Sequence, residues 1–71
     1  MMFFKKKVKY TILNPEWNVL FDNILFKIEP RENEYIFDGS IYFRVLKVVH
    51  NIDSSKNVII VVEQFGLKTE D

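Results

Sequence analysis

His50 is the single histidine of the 71-residue chain, which has no cysteine. A general base built on His50 would take its carboxylate from Asp53 or Glu63, with Tyr42 and Arg44 on the same alternating face. Nucleophilic catalysis needs a nucleophile, a base and donors for the developing oxyanion in mutual register, and only the base is visible here. As metal ligands, His50, Asp53 and Glu63 match none of the spacings that hold zinc or another transition metal. Gly39 and Gly66 stand alone, so no glycine-rich loop is present to cradle a phosphate. The sequence offers no catalytic constellation, no metal site and no cofactor motif. An enzyme is not the expectation.

Binding chemistry is better represented. Lys5, Lys6, Lys7 and Lys9 are interleaved with Phe3, Phe4 and Tyr10. Joined by Arg44, they could form a basic strand with stacking aromatics, a combination that small nucleic-acid-binding barrels use. The acidic residues Glu29, Glu32, Glu34 and Asp38 cluster in and around one polar stretch, where they would suit a basic protein surface. Trp17, beside a turn, has the residue type most enriched at interface anchors. Charge is segregated: residues 1–13 carry +4, and residues 14–40, with two basic and six acidic residues, carry −4. The whole chain has ten basic and ten acidic residues and formal net charge +0, which excludes a polycation-like nucleic-acid binder.

The elements that must position these residues are strands. Eight valines, eight isoleucines and two threonines accompany eleven aromatics, and there is no alanine. These types suit a pleated, half-buried surface, while the best helix former is missing. Seventy-one residues make one small domain with a thin core, read as residues 1–66 with a polar tail at 67–71. The opening residues put apolar side chains before the charges, the reverse of a secretory signal. The longest apolar run, residues 58–62, falls far short of the ~20 residues needed to cross a bilayer. The expected location is the cytoplasm, or a host cytoplasm.

Residues 4–13 alternate, with lysines on one face, and predict a half-buried strand. Asn14-Pro15-Glu16 carries helix-start signals, and the apolar residues of 17–28 fit a helix and a hairpin equally. One short helix near residues 15–22 is therefore an alternative to a strand. Asp38-Gly39 between two aromatic-rich runs predicts a hairpin with a two-residue type I′ turn, setting Ile36 opposite Ile41 and Tyr35 opposite Tyr42. Residues 41–52 and 58–65 are apolar on both faces; on the first, Ile41, Phe43, Val45 and Val49 line one side and Tyr42, Leu46, Val48 and Ile52 the other. Between them a three-residue loop would set Lys47 opposite Glu63, and a two-residue loop His50 opposite Ile59.

Two consecutive strands that are apolar on both sides must be covered twice. The rest of a chain this short can supply one cover, and a second copy of the chain would supply the other. The expected fold is mainly β: a small antiparallel barrel or meander sheet of five or six strands. The strand, Asp-Gly, strand, turn, strand order over residues 35–65 is similar to SH3-like small barrels, a likeness of fold that implies no function. The expected function is a non-catalytic protein-interaction module, dimeric, with Trp17, Glu29, Glu32, Glu34 and Asp38 as its partner surface. Its size and a residue usage skewed towards Phe, Ile, Lys, Asn and Tyr suggest an accessory or inhibitor protein of a phage or mobile element. The runner-up is a nucleic-acid-binding barrel using Lys5, Lys6, Lys7, Lys9, Tyr10 and Arg44.

Overall fold

The computed structural model describes residues 7–67. Five strands form one sheet: β1 (Tyr10–Leu13), β2 (Val19–Ile24), β3 (Tyr35–Phe37), β4 (Ile41–Val49) and β5 (Val58–Leu67). The described residues contain no helix. Spatial order is β2-β1-β5-β4-β3, so β5 and β4, the strands apolar on both faces, lie inside the sheet. The first part of the strand predicted over residues 4–13 lies outside the described residues.

The sheet is mixed, which corrects the all-antiparallel expectation. β1 runs parallel to β5, with Tyr10 beside Val58 and Leu13 beside Val61, while the other three pairings are antiparallel. Of the two alternatives for residues 15–22, the strand is the one formed: a tight hairpin leads into β2. The helix-start signals are used differently. The Asn14 side-chain oxygen accepts the N–H groups of Glu16 at 3.0 Å and Asn18 at 2.9 Å, and the Asn14 carbonyl accepts the Trp17 N–H at 2.9 Å. Proline at the second position of this turn supplies the same fixed φ it would have given a first helical turn.

Sheet curvature follows from ring positions. Phe21 on β2 and Phe43 on β4 meet edge to face with centroids 5.9 Å apart. Two strands lie between them, which in a flat sheet would hold those strands about 14 Å apart. The sheet is therefore curled into a half-barrel. Its concave side holds the core of Tyr10, Ile12, Phe43, Val45, Ile60 and Val62. The connection over residues 25–34 crosses that side from one edge of the sheet to the other. Phe26 packs edge to face on Tyr10 at 5.2 Å, Pro30 is buried, and the Asn33 N–H donates to the Val45 carbonyl at 2.8 Å.

Bulges set which side chains face outward. β4 carries an extra residue at Leu46, so Val48 returns to the core face instead of joining Tyr42 and Leu46 as alternation predicts. β5 carries one at Phe65 and continues through Gly66 to Leu67, which lies opposite Ile41. Both hairpin registers differ from expectation. Phe37 pairs with Tyr42 and Ile36 with Phe43, because the Asp38 carboxylate accepts the N–H groups of Ser40 and Ile41 and closes a longer loop. Glu63 lies opposite Arg44, not Lys47.

Candidate interaction surface

Among the described residues, no further element packs over the convex face of the sheet. Leu13 and Val61 lie side by side at its centre and are buried. Arg44 and Glu63 form an ion pair across β4 and β5 beside them. Toward the β3 edge stand four aromatic rings in two pairs. Tyr35 and Phe65 lie 4.8 Å apart, and Phe37 stacks on Tyr42 at 4.4 Å. Tyr35 is 54% exposed and Phe65 61%. Toward the other edge, Trp17 and Val19 line a shallow surface with Leu13, Thr11 and Ile59.

Trp17 occupies an expensive backbone position. Its φ is +67°, the left-handed region, where a side chain costs roughly 1–2 kcal/mol. Residues 15–17 form a three-residue hairpin loop whose last position is left-handed, a site usually filled by glycine. The indole is nonetheless 53% exposed, so burial does little to offset that cost.

The sequence-predicted acids do not join Trp17. No hydrogen bond, ion pair or ring contact among the described residues links it to Glu29, Glu32, Glu34 or Asp38. Glu34 and Asp38 serve their own loops, while Glu29 ties its loop to the sheet. Glu29 accepts the Tyr10 hydroxyl at 3.2 Å and lies 3.4 Å from His50 Nε2. Glu34 accepts the Arg31 N–H at 2.8 Å, and Asp38 closes the β3–β4 loop. Glu32 is exposed in a turn. The acidic loop instead runs into the β3 edge, beside Tyr35 and Phe37.

Of the basic set, Lys5 and Lys6 lie outside the described residues. Lys7 and Lys9 are exposed and line a polar groove with Lys56 and Asn57. The Tyr10 ring is buried in the core and offers no stacking face, and Arg44 is engaged by Glu63. His50 faces Glu29, not Asp53 or Glu63. Among the described residues, no three His, Cys, Asp or Glu side chains are placed to share a metal ion. No described helix is long and apolar enough to cross a membrane.

A polar clasp ties β1, β2 and the start of β5 together. The two Asn57 amide hydrogens are shared among Thr11 Oγ1 at 3.1 Å, Asp22 Oδ1 at 3.2 Å and Asn23 Oδ1 at 3.0 Å, and the Thr11 hydroxyl donates to Asp22 at 2.7 Å. That hydroxyl first, then the Asn23 N–H and the Asn57 amide, hold the Asp22 carboxyl below its ordinary 3.8. The N–H groups of Ile41 and Ser40 do the same for Asp38. Burial first, then the Glu29 hydrogen bond and charge, push the Tyr10 phenol above its ordinary 10.0.

These shifts set an expected pH dependence of stability. Lowered carboxyls contribute stability that is complete above their ordinary value and is lost as pH falls through the folded value. A raised phenol contributes below its ordinary value and loses that contribution as pH rises through the folded one. Thermal midpoints should therefore decline below about pH 4 and above about pH 10. Asp22→Asn with Asp38→Asn should flatten the acid limb and Tyr10→Phe the alkaline limb. Limbs of unchanged slope in melts across pH would assign the titration to other groups.

No protein-family model matches the chain, and neither a curated protein nor a solved structure shows significant similarity to it.

Proposed function

We propose that this chain is a non-catalytic protein-interaction module that holds its partner on the convex face of the sheet, in the manner of small accessory or inhibitor proteins of mobile elements. One observation carries the reading. Trp17, Val19, Tyr35, Phe37, Tyr42 and Phe65 are all exposed on the sheet face over which no described element packs. A further observation supports it. Trp17 is held where glycine would be less strained, as expected for a residue kept for what its side chain touches.

Trp17→Gly separates binding from folding. Relief of the left-handed strain and loss of partial indole packing oppose each other, so the thermal midpoint should stay within a few degrees. Affinity for the cellular partner, captured on immobilised protein and identified by mass spectrometry, should fall about thirtyfold or more. An unchanged affinity would remove the convex face from consideration. Light scattering decides whether that partner is a second copy of the chain. An oligonucleotide shift at about 50 mM salt that disappears at higher salt would favour nucleic acid instead.

A further inference from the structure

The two edges of the half-barrel are not equivalent. β2 is blunted. Both register shifts against β1 place the extra residue in β2, at Leu20 and at Asp22-Asn23, and Asn23 has a φ of +55°. Such bulges twist an edge and interrupt the row of groups another strand would pair with. β3 has no bulge against β4 over Tyr35, Ile36 and Phe37.

The pattern of bonds across β3 and β4 shows which backbone groups remain open. The Asp38 N–H donates to the Ile41 carbonyl at 3.2 Å, and the Val45 N–H donates to the Glu34 carbonyl at 2.8 Å. In an antiparallel ladder bonding residues alternate, so Glu34, Ile36 and Asp38 face β4. Tyr35 and Phe37 then turn their N–H and C=O groups outward. Along this edge runs a groove lined by Phe26, Ile28, Pro30, Glu34, Ile36 and Phe37. Its floor is apolar, and Glu32, Glu34 and Asp38 give its surroundings negative charge.

We infer that an extended segment of the partner protein, alternating apolar with lysine or arginine residues, adds to β3 as a sixth strand. Its backbone pairs with Tyr35 and Phe37, its apolar side chains enter the groove beside Phe26 and Ile28, and its basic side chains meet the acidic loop. Main-chain pairing of this kind supplies affinity, and the alternate side-chain sites supply selectivity. Charge selects among extended segments: residues 14–40, which contain this edge, carry −4. The inference rests on the interaction-module reading and specifies the chemistry of the partner.

The test titrates isotope-labelled full-length chain with a short peptide alternating valine and lysine, read by amide resonances. The largest shifts should fall at Tyr35 and Phe37, with slowed hydrogen exchange at both. A valine–glutamate peptide should bind at least about tenfold more weakly. Phe37→Ala removes a ring and keeps the N–H, whereas Phe37→Pro removes both and leaves the β4 ladder intact. The proline variant should bind about tenfold more weakly than the alanine variant, as expected for one lost main-chain bond. The same spectra report whether each variant is folded. Equal binding by the two variants, indifference to peptide charge, or shifts centred on Trp17 and Val19 would overturn the inference. So would shifts at Tyr35 and Phe37 on concentrating the chain alone, which would place a second copy there. If the inference falls while Trp17→Gly still loses the cellular partner, the convex-face reading stands by itself.

Discussion

Ile60→Ala should leave no cooperatively folded protein at 37 °C, or lower the thermal midpoint by roughly 15–20 °C. Ile60 is 0% exposed, near the start of β5, with Ile12 of β1 on one side and Val48 of β4 on the other. Truncating a buried isoleucine removes its transfer free energy and leaves a cavity, together about 2–5 kcal/mol. A domain of this size without a disulfide holds only about 3–5 kcal/mol in total. One side chain is therefore worth most of the fold. Ile52, 104% exposed in the β4–β5 loop, is the control, and Ile52→Ala should stay within about 0.5 kcal/mol. Urea and thermal melts followed by circular dichroism measure both. A midpoint for Ile60→Ala within a few degrees of the parent would show that the core lies elsewhere.

Thr11→Pro should be equally disruptive for a different reason. β1 is flanked by β2 on one side and β5 on the other, so each N–H of Tyr10–Leu13 is directed to one neighbour or the other. Proline removes a ladder bond and cannot sit in an interior strand, at about 3 kcal/mol or more. At the β3 edge, where Phe37 turns its N–H outward, proline should be tolerated. A companion experiment isolates the parallel pairing. Thr11 and Ile59 are direct partners, and the chain has no native cysteine to compete. Thr11→Cys with Ile59→Cys should oxidise to an intramolecular disulfide in the folded protein. A pair that stays reduced under mild oxidant, in protein that remains folded, would disprove the β1–β5 register.

Much of the fold is legible locally. The double-sided apolar character of residues 41–49 and 58–65 identifies the two central long strands, because only interior strands need cover on both faces. Asp38-Gly39 marks the β3–β4 connection. Its register is not legible, since the Asp38 carboxylate competes with the backbone for the N–H groups of Ser40 and Ile41. Asn14-Pro15-Glu16 announces a chain reversal whose type depends on the segment after it. The capping oxygen, fixed φ and acid serve a helix start or a hairpin alike, and β1 beside β2 decides between them.

The candidate site is half visible in the residues alone. Trp17 stands out by type, but its left-handed backbone does not. The acids are visible as a cluster, yet Glu34 and Asp38 hold their own loops together and Glu29 is tied to Tyr10. Tyr35, Phe37 and Tyr42 fall on one face by alternation alone, whereas Phe65 joins them through the register of β5 against β4, which the residues by themselves leave open.

Residue types and their spacing determined by themselves that the chain is β, where it turns, and that it holds more apolar surface than a single small sheet can hide. Those properties are set over a few neighbouring residues by sterics, turn chemistry and period-two burial. Only the tertiary structure decided that β1 lies parallel to β5, that the connection after β2 covers the concave side, and that no described segment packs over the convex side. Such choices join residues more than 40 positions apart. They are governed by which arrangement buries the most side chain for the chain available, a competition that no local segment contains.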